Sequence, residues 1–147
     1  MIPINTSKVL IGGIVASVVI FAGQMLNHMM FEERWNEATQ SAGLTSEFDT
    51  LALTIMTLFL VGLGLVTAWL YAGLRTRFGA GPATAIKAGT AVWACWAVFG
   101  YSTTYFIGLY PGDLVAYSVI ISFVFINAGA LIAGKMYTEV SAVAAQA

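Results

Sequence analysis

Four stretches of the chain contain no Asp, Glu, Lys or Arg at all: 9–31, 50–74, 88–112 and 114–134. They are 23, 25, 25 and 21 residues long. At about 1.5 Å per residue each makes a helix of roughly 31–38 Å, enough to cross a hydrocarbon core of about 30 Å. The six basic and seven acidic residues all fall in the gaps, at the run edges or in the tails. An ordinary soluble domain carries about 25% charged residues; here the share is 9%, against 59% hydrophobic, with a mean hydropathy of +0.85. The expected fold is therefore an all-α membrane protein. It has four transmembrane helices at about 8–31, 48–74, 83–108 and 114–137, forming one domain.

Charge distribution sets an expected orientation. Lys8, Arg75, Arg77, Lys87 and Lys135 flank the two ends of the chain and the gap between spans two and three, whereas Arg34 is the one basic residue in the other two gaps. The positive-inside rule places both termini and the 75–87 gap in the cytoplasm, with Arg75, Arg77, Lys87 and Lys135 as lipid and topology anchors. The acidic gap 32–49 and the turn at Asp113 then face outward. The first charge-free run exceeds the 7–15 residues of a signal-peptide core and lacks a small-x-small cleavage site, so it is read as retained.

The connections carry recognisable punctuation. Thr6 or Ser7 can cap span one. In the following segment Phe31, Trp35, Ala38 and Ala42 share a face opposite Glu33, Glu37 and Gln40, which predicts a short amphipathic interfacial helix ended by Gly43. Ser46 to Asp49 matches a capping box for span two. Gly79-Ala80-Gly81-Pro82 ends one helix and starts the next. Pro111-Gly112-Asp113 precedes span four, with Asp113 read as its cap. Turns this short make antiparallel neighbours, hence an up-down-up-down bundle.

Small residues recur at helical spacing: Gly64, Ala68 and Ala72 on span two, Ala130 and Gly134 on span four. Span one offers Gly12 with Ala16 and Gly13 with Ser17; span three offers Ala85 with Gly89 and Ala91 with Cys95. Lipid is as apolar as Leu, so membrane helices associate by close packing at such positions. The stripes can serve packing within the chain or between chains. A loose internal repeat aligns 62–71 with 128–137, matching Leu65 to Leu131 and Tyr71 to Tyr137, and more loosely 11–16 with 87–92. It is read as two parallel hairpins.

Candidates for chemistry are few. Gln24, Asn27 and His28 share one face near the outer end of span one. A neutral imidazole there could ligate a tetrapyrrole metal or bond a quinone carbonyl; it could equally sit in interfacial water. Ser102 to Tyr105 lies at the same expected depth on span three, so Gln24, Asn27, His28 and Tyr105 form the candidate cofactor-binding set. Asn127 needs a partner at mid-membrane. Trp93 and Trp96 lie too deep for an interface belt and could stack on a flat ligand or fill volume.

Several classes are excluded. A net charge of −1 offers no basic face for nucleic acid. Cys95 is the only cysteine, read as a buried filler, so no internal disulfide forms and no metal site is expected. No ionisable side chain lies at the centre of a span, against proton pumping. No nucleophile-base pair or carboxylate dyad shares a site, so no catalytic residue is assigned and the protein is read as non-enzymatic.

The segment from Trp69 through Arg75-Thr-Arg-Phe-Gly-Ala-Gly-Pro82 to Ala88-Gly-Thr-Ala-Val-Trp93 resembles that of a group of small, uncharacterised bacterial four-span membrane proteins. They share an Arg-x-Arg-Phe-Gly-x-Gly-Pro turn. The likeness covers about 25 residues and implies four spans and a bacterial inner membrane, without assigning an activity, a cofactor or a site residue. The expected role is a non-catalytic assembly or accessory component, either a homo-oligomer or a small subunit of a larger complex. The alternatives are a binder of a quinone, carotenoid or tetrapyrrole near His28, and a passive channel or carrier for a neutral solute.

Overall fold

In the computed structural model residues 4–44 and 49–138 are described, and the regular structure among them is entirely helical. The elements are α1 (Thr6–Met30), α2 (Glu32–Ser41), α3 (Thr50–Phe78), α4 (Pro82–Trp93), a π segment (Ala94–Val98), α5 (Phe99–Phe106) and α6 (Gly112–Met136). Three of them, α1, α3 and α6, are long and apolar enough to cross a membrane. The helix from Pro82 to Phe106 runs on through the π segment, and its junction residues Trp93, Ala94, Val98 and Phe99 all keep right-handed helical dihedrals.

Local chemistry fixes the ends. Asn5, rather than Thr6 or Ser7, caps α1: its side chain accepts from the Lys8 N–H at 3.3 Å. The expected capping box at Ser46–Asp49 lies mostly outside the described residues, but Asp49 itself caps α3, accepting from Ala52 N–H at 2.7 Å. Gly79 and Gly81, at φ +82° and +137°, make the turn that Pro82 closes as the first residue of α4. Helix α6 begins two residues earlier than expected, with Pro111 at the cap position. Asp113 is thus not a cap; it lies in the first turn and pairs with Arg34.

Small residues let the backbones approach. A Cβ on Gly64 would collide with the Gly13 carbonyl and come within 2.6 Å of Ser17 N, which forms the α1–α3 seam. Gly12 faces Ala133 and Gly129 faces Ala16 along α1–α6. A Cβ on Gly89 would lie 2.9 Å from Ala130 Cβ, and one on Gly134 3.2 Å from Ala85 Cβ, marking the α4–α6 seam. Ala68, Ala72 and Ala130 are buried in these contacts. Two core clusters result. One near the chain ends is built on Ala68, Tyr71, Ala72, Ala85, Ala133 and Tyr137. The other, centred on Ile20, Val92 and Ile126, is edged by Trp93 and Trp96. The repeat-matched Tyr71 and Tyr137 meet edge to face at 6.1 Å.

The end bearing the chain ends is tied down by polar contacts. Asn5 N–H donates to the Tyr137 hydroxyl at 3.0 Å, and the Arg75 guanidinium sits 5.1 Å above the Tyr137 ring. Lys87 Nζ lies 4.1 Å over Phe78, while Arg77 and Lys135 are exposed. At the opposite end α2 covers the start of α6: Phe31 stacks on Tyr117 at 4.9 Å, Trp35 meets Tyr110 edge-on, and Arg34 pairs with Asp113.

Candidate functional site

The polar residues of α1 divide between two directions. Asn27 is buried and donates from Nδ2 to Ser118 Oγ at 3.1 Å. Gln24 is half-buried and accepts from the Tyr101 hydroxyl at 3.0 Å. His28 is exposed, and none of the side-chain hydrogen bonds among the described residues involves its imidazole. One helical step of about 100° separates Asn27 from His28, and that step takes the imidazole off the inward line. Tyr105 does not join the group either: it is exposed, against Phe106 and Gly112. The residues brought together are Gln24, Asn27, Tyr101, Ser118 and Ser122, with Ser122 the further polar neighbour of the Tyr101 hydroxyl.

The π segment explains why Tyr101 occupies this place. Along α4 the buried line runs through Ala85, Ala88, Gly89 and Val92. Continued with α-helical spacing it would pass through Trp96, Gly100 and Thr103. Observed burial falls instead on Ala97, with Tyr101 and Thr104 half-buried and Gly100 and Thr103 exposed. One wider turn adds a residue, so the inward face moves on by one position. The same shift leaves Cys95 exposed instead of buried as a filler, and with exposed Ala91 it removes the expected Ala91–Cys95 seam. No feature of the local sequence announces the π turn. The tyrosine could have been found only by noticing that it lies closer in depth to Gln24 than Tyr105 does.

Hydrogen-bond direction in the cluster is determined by its members. The Ser118 hydroxyl donates to Leu114 O at 2.8 Å, so its oxygen can only accept from Asn27. That fixes the Asn27 amide with Nδ2 toward Ser118 and leaves Oδ1, a fully buried atom, without a partner. Gln24 Oε1 accepts the hydrogen bond from Tyr101, and its Nε2 donates to nothing among the described residues. Deeper in the bundle Asn127 is satisfied: Nδ2 donates to Phe123 O at 2.9 Å and Oδ1 accepts from Thr90 at 3.4 Å. Trp93 is likewise engaged, its Nε1–H donating to Val119 O at 2.9 Å.

A separate cleft of about 370 Å³ lies at the α2 end of the bundle, between α2 and the α5–α6 turn, lined by Arg34, Glu37, Ser41 and Tyr110 among others. Its ion pair is solvent-exposed. The hydrogen bond from Arg34 holds the Asp113 carboxyl below its ordinary range, and the same bond raises the guanidinium. Among the described residues no group of three or more His, Cys, Asp or Glu could hold a metal ion. Neither a family model, nor a curated protein, nor a solved structure matches the chain.

Proposed function

We propose that this is a bacterial inner-membrane protein of four spans in up-down-up-down order, its third span running from Pro82 to Phe106 through the π segment and both termini cytoplasmic. It acts without catalysis as an assembly or accessory component of the membrane, as a homo-oligomer or a small subunit. The observation that carries this reading is the state of α3. The helix buries no residue before Gly64, and Leu51, Leu53, Ile55, Met56, Leu58 and Phe59 are exposed around its whole circumference. A membrane helix gains its packing energy from other helices rather than from lipid; Leu60 and Leu63 reach the inner core cluster, but the turns from Thr50 to Phe59, which bury nothing among the described residues, are suited to a partner helix. The test is native mass in detergent together with Leu58→Cys cross-linking in a Cys95→Ser background. The expected result is a mass above one 15.6 kDa chain and a cross-linked product. A monomer that neither cross-links nor co-purifies with another subunit overturns the reading.

A second reading, a binder of a hydrophobic ligand, is favoured by the orphaned acceptor on Asn27. In it the polar contact comes from Gln24, Asn27 and Tyr101 rather than from His28 or Tyr105.

A further inference from the structure

Asn27 is 4% exposed, and its Oδ1 is a buried acceptor with no donor. Leaving such a group unpaired forfeits its hydration with nothing in return, and the described residues offer no internal remedy. Ser118 has already committed its proton to Leu114 O, Ser122 its own to Ser118 O, and Tyr101 its own to Gln24. Gln24 Nε2 is the matching unused donor, three residues away on the same helix face, where Cβ atoms stand about 5–6 Å apart. One oxygen that both donates and accepts would satisfy the two amides together. A carbonyl cannot, since it has no proton to give to Asn27. Nor does a charged headgroup suit the site, because no ionisable carboxylate, ammonium or guanidinium belongs to it.

The wall beside this pair is incomplete. Gln24 sits one turn beyond Ile20, a core residue with no exposed surface, yet is itself half-exposed. At this level α5 buries none of its residues and α3 buries none before Gly64. The described helices thus leave the bundle open between α3 and α5, which do not pack on each other, with Trp96 lying edge-on to Tyr101 at 5.7 Å.

Resting on the second reading above, we propose that Gln24 and Asn27 bind the hydroxyl of a neutral, alcohol- or phenol-headed amphiphile that enters from the bilayer between α3 and α5. The hydroxyl donates to Asn27 Oδ1 and accepts from Gln24 Nε2, and the apolar tail remains among the lipid chains.

The test uses the full chain in detergent micelles and tryptophan fluorescence, with 11-bromoundecan-1-ol and 1-bromoundecane as heavy-atom quenchers differing only in the hydroxyl. The alcohol is expected to quench saturably, with an apparent affinity about tenfold above that of the bromoalkane, the ratio one net pair of hydrogen bonds supplies. Asn27→Leu should bring the two curves together while helical content by circular dichroism is unchanged. The wild-type comparison stands alone if that variant does not fold. Equal, saturable quenching by both probes would overturn the hydroxyl assignment and leave a hydrophobic-ligand site standing. Quenching that rises linearly for both would overturn the assignment and the second reading together, with water left as the donor to Asn27.

Discussion

The two ends of the bundle are packed on different principles. Toward the chain ends, glycine and alanine bring α1, α3, α4 and α6 into backbone contact, and Tyr71 and Tyr137 fill the remaining space. Toward α2, the same helices carry amides, hydroxyls and large exposed side chains, and α3 and α5 bury nothing. The difference is one of residue size before it is one of polarity. Where a stripe of small residues continues, helices close; where it lapses into Leu, Phe and Thr on α3, they part. Closure supplies stability, and the open end leaves the large side chains of α3 exposed.

The sharpest way to break this contrast lies within α3. Gly64→Ala inserts a methyl where Gly13 and Ser17 backbone atoms already stand, and should destabilise by about 1–3 kcal/mol, lowering Tm in detergent by several degrees. Gly62→Ala, two residues away with nothing within 4 Å of the added carbon, should stay within about 0.5 kcal/mol of wild type. Equal effects would mean the seam is not where the packing energy lies. Next in size, Asn127→Leu removes the Thr90 bond and should cost about 0.6 kcal/mol, the average for an interhelical hydrogen bond in a membrane; chemical denaturation in mixed micelles would read it.

Leu58→Ala on the open half of α3 should change the stability of an isolated chain by less than about 0.5 kcal/mol while weakening any cross-linkable assembly, as native mass would report. The smallest effect concerns α2. Asp113 has a lowered pKa in the folded protein, so its contribution is complete above the unfolded value of about 3.9 and is lost as pH falls through the lowered folded value. Arg34 stays charged throughout. Trp35 emission should therefore hold steady from pH 7 to 5 and shift only in strong acid, and Asp113→Asn should abolish that shift.

Much of the architecture can be read from where charges are missing, because a bilayer tolerates few of them and the runs are long. Turn residues were legible for the same reason: glycines at positive φ and Pro82 act through local dihedrals. The cap of α1 moved from Thr6 or Ser7 to Asn5, since neighbouring polar residues could satisfy the same N–H groups, and that of α6 moved two residues, from Asp113 to Pro111, which makes no side-chain cap bond. The site was only half legible. Gln24 and Asn27 could be placed on one face from spacing, but His28 belongs to the next face round, and which of two tyrosines meets them depends on a single π turn. That turn leaves no trace in composition.

Tyr137 gives the molecule a sense of time. Its ring meets Tyr71 edge to face, carries Arg75 above it, and its hydroxyl receives Asn5 N–H, so one residue joins three helices. It also leaves the ribosome 66 residues after Tyr71, which at 5–20 residues per second is a delay of roughly 3–13 s. During that interval α1 and α3 can hold each other through Gly13 and Gly64, while Arg75 and Asn5 await their common partner. Helix α6, synthesised after α1 and α3, is thus the latch, and without Tyr137 these helices would have met but not locked.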